Sequence, residues 1–321
     1  MDLTNLEPVV GKIGEEEKLL LVCAKGKRGY LTQNKLRALG YTNTRVLEGG
    51  ATFNVVRVTM PAGGTLSPAE IKRVKSLGCL QDKRTPNLFN VRVITRNGKI
   101  TTEEHRTVAE AAERFGSGEI TMTTRLTLEI QGVPYENIQP VIDFLAQHGL
   151  ETGGTGSLVR PVVSCKGTTC QYGLIDTFAL SDIIHERFYK GYHHVTLPHK
   201  FKIAVGGCPN NCGRCKGKCP FGVTEEYVSG YKIYIGGRWG KKIAHGHALE
   251  KVFTSQEEVL DVVERAILFF RDEGLTGERF ADTIQRLGFD KVQEMLLSDE
   301  LLARKEENLA AQKHLKGGAT C

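Results

Sequence analysis

Six of the nine cysteines of this 321-residue chain fall between Arg160 and Pro220, and no other stretch restricts the fold as sharply. Cys165 and Cys170 share the segment SCKGTTCQYG. Cys208 and Cys212 share GGCPNNC, with Cys215 and Cys219 immediately behind. The two loops lie about 40 residues apart, and each is rich in Gly, Pro or Asn. Four thiolates converging from two tight loops are what a cube of iron and sulfide requires. Paired cysteines also build closed tetrahedral zinc sites, but those favour C-x2-C knuckles, whereas these pairs are C-x4-C and C-x3-C. Unrelated buried thiols are the third alternative.

The residues around the cysteines narrow the choice. GGCPNNC, and LPHKFK just before it, resemble the cluster half of the sirohaem-containing sulfite and nitrite reductases. SCKGTTCQYG is similar to the third of the subunits of anaerobic sulfite reductase, within that family. The resemblance covers roughly residues 70 to 290. It implies a [4Fe–4S] cluster held by Cys165, Cys170, Cys208 and Cys212, with the Cys212 thiolate also the axial ligand of a sirohaem iron. By the same resemblance Arg125 of TTRLTLEI, Arg160, Lys200 and Lys202 contact the substrate anion or the sirohaem. Thr124, Asn210, Asn211, Arg238 and Lys241 are then expected around the cofactor. The sequence departs from the family at three points. The first pair is C-x4-C where most members have C-x5-C, and Leu126 stands where Gln is common. After Cys212, CGRCKGKCPFG follows at once, like the end of a ferredoxin motif without its beginning. Cys215 and Cys219 are candidates for the remnant of a second cluster.

Composition excludes several other classes. With 40% apolar and 25% charged residues the chain reads as an ordinary globular protein. Its formal charge of +6 is mild and not gathered into an arm, so it gives no nucleic-acid footprint. No apolar run approaches the roughly 20 residues of a membrane helix. Nine cysteines behind a start without a basic n-region or apolar h-region lead us to expect a reducing cytoplasm.

Taken in order, residues 18–50 read as strand, loop, helix, turn and short strand. Cys23 stands at the strand end beside Lys25, Lys27 and Arg28, surroundings that favour a thiolate. C-x2-G-x-R with GYTNTRVLEGG behind it resembles the second half of a rhodanese, whose Cys carries a persulfide. SPAE at Ser67–Glu70 caps a helix ending near Gly78, and Cys79 reads as a plain buried thiol. From Asn87 to Gly149 the periodicities give strand, helix, strand, strand, helix, a βαββα order that suggests a ferredoxin-like α+β unit. A helix with Leu180, Ile183, Ile184 and Phe188 inward is expected over 174–192. Lys200 and Lys202 alternate with Phe201 and Ile203, which sends both ammonium groups off one face of a strand. Ser255-x-x-Glu258 caps a further helix. The fold class is α+β: a partial rhodanese-like segment (1–52), a linker and helix (53–86), a ferredoxin-like half-domain (87–152), a sirohaem and [4Fe–4S] domain (153–298), and a charged, frayed tail (299–321).

The implied function is reduction of sulfite to sulfide at a sirohaem coupled to the cluster through Cys212. A single copy of the half-domain pair predicts a homo- or hetero-oligomer. No G-x-G-x-x-G follows a strand, so electrons are expected from a separate ferredoxin or flavoprotein subunit. Three other readings stand beside it: a nitrite reductase, a non-catalytic iron–sulfur carrier, and a sulfurtransferase acting through Cys23.

Overall fold

The computed structural model describes residues 19–21, 27–38, 41, 44–46, 66–212, 221–225, 230–238 and 240–311. The chain divides into two compact units, Met1–Gly63 and Gly64–Cys321. In the first, strands β1 (Leu19–Leu21) and β2 (Thr44–Val46) pair in parallel, Leu19 opposite Thr44 and Leu21 opposite Val46. Parallel neighbours need a crossover, which helix α1 (Lys27–Ala38) supplies. Leu36 is buried, and the Gln33 side chain donates to the Thr44 carbonyl at 2.6 Å.

The second unit begins with α2 (Pro68–Ser76), whose Ser67 N-cap accepts from the Glu70 amide at 3.2 Å. Strands β3 (Cys79–Gln81), β4 (Leu88–Val93), β5 (Ile120–Met122) and β6 (Leu128–Pro134) form an antiparallel sheet in the order β3-β4-β6-β5. Helices α3 (Thr102–Phe115) and α4 (Ile138–Gln147) pack on one face of it. Period-two burial on β4 sends Phe89, Val91 and Val93 into this core. Thr101 and Glu104 close a reciprocal capping box at the start of α3. The βαββα order expected from the sequence is present, with β3 on the edge beside β4. Cys79 is fully buried, and burial pushes its thiol up to about 12, which leaves it inert.

The remainder is a mixed sheet, β11-β10-β9-β8-β7, built from β7 (Val163–Ser164), β8 (Ile203–Val205), β9 (Phe221–Glu225), β10 (Tyr231–Ile235) and β11 (His247–Phe253). β7, β8 and β9 run parallel, while β9, β10 and β11 alternate in direction. Helix α5 (Thr177–Ile184), continued by a π turn over His185–Lys190, and the long α6 (Gln256–Glu273) bury its apolar surface. Ser255 and Glu258 form the capping box of α6. Phe201, Phe270 and Phe280 meet at centroid distances of 5.2 to 5.9 Å in this core. Helices α7 (Phe280–Leu287), α8 (Phe289–Leu297), α9 (Glu300–Ala303) and α10 (Lys305–Ala310) complete the unit.

Three expectations need correction. Ile183 is 40% exposed rather than inward, because α5 starts at Thr177 and buries Leu180 and Ile184 instead. The segment after Asp299 does not fray over its first dozen residues. Leu301 and Asn308 are buried, and the Arg271 guanidinium of α6 donates to the Leu309 and Ala311 carbonyls at 3.2 and 2.9 Å. Strand β9, unanticipated, sits between β8 and β10 directly after the cysteine-rich run. Among the described residues, no helix is long and apolar enough to cross a membrane.

Candidate functional site

Both cysteine loops leave the carboxyl ends of neighbouring parallel strands. Cys165 follows β7 and Cys208 follows β8 by three residues, and the Cys165 amide donates to the Val205 carbonyl at 3.0 Å. Crevices at the carboxyl ends of parallel strands are common ligand sites in α/β sheets. Two glycines let the loops touch. A Cβ on Gly207 would lie 2.8 Å from the Gly167 Cα, and one on Gly167 would lie 2.9 Å from the Gly207 Cα. The Gly207 amide donates to the Cys165 sulfur at 3.2 Å, and the Leu174 amide donates to the Gly207 carbonyl at 2.8 Å. Asn211, at φ 52°, turns the second loop so that Cys208 and Cys212 face one space, and its amide donates to the Cys208 carbonyl.

That space is a cavity of about 680 Å³. All four predicted ligands, Cys165, Cys170, Cys208 and Cys212, line it, joined by Thr124, Arg125, Lys202 and Asn211. Among the described residues no three His, Cys, Asp or Glu come together closely enough for a single ion. The four thiols share the lining of this one volume, as four ligands of a cluster must. A cavity of this size also accommodates a cofactor-sized ligand.

Arg125 reaches the cavity from the tip of the β5–β6 hairpin, between Met122 and Leu128. Leu126, at φ 61°, and the 2.7 Å hydrogen bond between the Thr123 and Thr127 hydroxyls close this turn. The Arg125 guanidinium donates to the Pro161 carbonyl, linking the hairpin to the entry of β7. Lys202 sits between Phe201 and Ile203, both fully buried, so alternation directs it to the opposite face.

Arg160 and Lys200 do not line the cavity. Arg160 is half-buried, donates to the Gly154 carbonyl, and its Nε finds no hydrogen-bond partner among the described residues. Burial, together with the positive charges of Arg92 and Arg125, pushes its guanidinium down to about 10. His199 is driven down to about 4 by burial and by Arg279, Lys200, Arg160 and Arg238. Positive charge is thus concentrated around Arg160 and His199, and Arg125 is the member of this cluster that lines the cavity. Arg279, at the start of α7, is a member of this cluster that no motif marked. Arg238 is neutralised by Asp282 at 2.6 Å, which ties its loop to α7; Lys241 and Asn210 are exposed and stand outside the cavity lining. Cys23, Cys215 and Cys219 lie outside the described residues.

The state of His199 is directly testable. The Lys200 amide donates to its Nδ1 at 2.8 Å, which puts the proton of the neutral ring on Nε2. Its folded pKa is depressed, so the unfolded chain takes up the proton first as pH falls. Stability linked to this group is complete above the ordinary value of 6.5 and is lost between 6.5 and about 4. An NMR titration should show His199 still largely neutral at pH 5, where an ordinary histidine is protonated.

Comparison with known proteins agrees with this geometry. Residues 155–305 match the nitrite and sulphite reductase 4Fe-4S domain, and residues 81–148 match the nitrite/sulfite reductase ferredoxin-like half domain. The coenzyme F420-dependent sulfite reductase of Methanocaldococcus jannaschii is 25% identical, covering 65% of this chain and 42% of that protein. The NAD(P)H nitrite reductase of Bacillus subtilis is 28% identical over 67% of this chain and 26% of its own. The chain therefore spans less than half the length of either relative. A crystal structure of dissimilatory sulfite reductase I superposes with a TM-score of 0.60 at 17% identity, covering 73% of this chain and 72% of that one, which establishes the shared fold. With both family domains matched in order and the four thiols around one cavity, the chain belongs to the sirohaem and [4Fe–4S] sulfite and nitrite reductase family.

Proposed function

We propose that this chain is the catalytic subunit of a sulfite reductase, carrying out the six-electron reduction of sulfite to sulfide. The observation that carries the reading is the single cavity in which four cysteines on two tied loops meet Arg125 and Lys202. Cys165, Cys170, Cys208 and Cys212 would hold the [4Fe–4S] cluster, with Cys212, the most exposed of the four, shared with the sirohaem iron. When bound, these groups supply the storage and single-electron delivery that the protein's own side chains lack.

The side chains hold the anion and manage its protons. Sulfite is a dianion, and its reduction sheds three oxygens as water, so negative charge builds on each departing oxygen. Arg125 and Lys202 line that space, and their positive charges would neutralise this one. Lys202 would also donate protons to the leaving oxygens. Arg160 and Lys200 would contribute from just outside, raising the local positive potential. Turnover consumes electrons that no flavin or nicotinamide motif of this chain supplies, so a separate ferredoxin or flavoprotein partner is part of the proposal, as is an oligomeric assembly.

Nitrite is the competing substrate, because the Bacillus subtilis relative is a nitrite reductase. Two features favour sulfite: the likeness of SCKGTTCQYG to part of an anaerobic sulfite reductase and the F420-dependent relative. Visible absorption of the anaerobically isolated protein is the test. A Soret band and a long-wavelength band that shift with sulfite, more strongly than with nitrite, are expected. An iron–sulfur shoulder alone would reduce the protein to an electron carrier, and a stronger response to nitrite would transfer the assignment to that anion.

A further inference from the structure

Thr177, the first residue of α5, is fully buried and touches both cysteine loops. Its hydroxyl donates to the Cys165 carbonyl at 2.8 Å and accepts from the Thr168 amide at 3.2 Å, so it ties the start of the turn between Cys165 and Cys170 to its middle. Its methyl group lies against the two contacting glycines. Cγ2 is 2.6 Å from where a Cβ on Gly167 would stand and 3.0 Å from where one on Gly207 would stand. The helix does not need this hydroxyl for its own start. Asp176 is the N-cap, accepting from the Ala179 amide at 2.9 Å and from the Thr168 hydroxyl at 2.6 Å. The Ser164 hydroxyl lies between two acceptors, the Cys165 carbonyl at 2.8 Å and the Thr177 carbonyl at 3.3 Å.

We infer that Thr177 is a positioning residue for the iron–sulfur site: its hydroxyl holds the Cys165–Cys170 loop in the shape that presents both thiols to the cavity. The inference rests on the proposed ligation by Cys165, Cys170, Cys208 and Cys212. The reason is geometric. Thr168 and Cys165 belong to one loop, and the Thr177 hydroxyl satisfies a donor of the first and an acceptor of the second at once. Valine would fill the same volume without either hydrogen bond. Serine would keep both hydrogen bonds and lose only the methyl group.

The test compares wild type, Thr177→Val and Thr177→Ser after anaerobic reconstitution with iron and sulfide. Cluster loss to an iron chelator is followed by absorbance, and melting of the three apo-proteins is recorded alongside. Outer-shell partners of metal ligands are typically worth 10- to 100-fold in metal retention. Thr177→Val should lose iron about 10- to 100-fold faster than wild type with apo melting close to wild type, and Thr177→Ser should stay near wild type. Equal retention by the valine variant, or equal losses by valine and serine, would overturn the role of the hydroxyl. If the valine protein does not fold, Thr177→Ala against Thr177→Ser decides in the same way, since alanine must then release iron faster. A wild type that takes up no cluster would instead bring down the ligand assignment of the four cysteines.

Discussion

On the proposed sulfite-reducing function, replacing Lys202 by methionine should lower sulfite turnover by about 10²- to 10³-fold, the usual cost of removing one group aimed at developing charge on oxygen. The iron content and the visible spectrum should not change, because the side chain lines the cavity without belonging to the apolar core. Its neighbours Phe201 and Ile203 occupy that core and fix its direction. The loss should fall on kcat more than on KM, since charge on the departing oxygens grows during the reaction rather than on binding. Lys202→Arg should recover part of the rate by restoring the charge with a different reach. Lys200→Met is the contrast: Lys200 shares the parity of Lys202 but stands outside the cavity lining, so its loss should be milder. Steady-state kinetics on protein matched for cluster content decides the matter. Wild-type turnover in Lys202→Met would remove this lysine from the reaction.

The contrast between the two lysines marks how far the sequence could be read. KFK specified which face both would leave, because alternation is a local property of an extended segment. It did not specify how far the cavity extends, which depends on the Arg125 hairpin and on where β8 begins. The same division runs through the molecule. Capping boxes at Thr101 and Ser255 were legible, since every atom they use lies within four residues. The two cysteine loops were legible because thiols and glycines are scarce enough for their clustering to carry information. The ion pair of Arg238 is not legible in the sequence, because its partner, Asp282, lies 44 residues on and nothing local announces it. Thr177 was invisible for a related reason. A threonine near the start of a helix is ordinary, and only the third dimension brings it under both loops. Arg279 joins the positive cluster through the same long-range folding. The C-terminal helices are short and charged, and nothing in their sequence separates them from a frayed tail. What holds them is a set of buried polar groups on α6 that the amphipathic pattern of that helix conceals.

Glu264 is the central one of these groups, and removing its partners should cost far more than removing the carboxylate itself. It is 3% exposed on the buried side of α6, with Arg187 at 3.0 Å, Lys305 at 2.6 Å and the Tyr192 hydroxyl donating to it. Burial alone would raise its pKa, but the hydrogen bonds from Lys305, Tyr192 and Arg187 outweigh this and hold it below the ordinary 4.5. The folded state therefore binds its proton less readily than the unfolded chain. Stability from this site is complete above pH 4.5 and is lost as the pH falls through the lower folded value. Arg187 and Lys305 are a third or more exposed, so water can solvate either cation once the carboxylate is gone. The buried carboxylate has no such recourse. An Arg187→Met, Lys305→Met double variant leaves it without a counter-charge, held by the Tyr192 hydroxyl alone, and should lose about 3–5 kcal/mol in urea unfolding. Glu264→Gln alone should lose less. Adding Glu264→Leu to the double variant should return part of the loss, because a well-packed apolar group is often as stable as a buried ion pair and more stable than a lone buried charge. If the triple variant proved no more stable than the double, the cost would lie in the lost contacts of the Arg187 guanidinium over the Phe188 ring and the Lys305 ammonium over the Tyr192 ring rather than in the lone carboxylate.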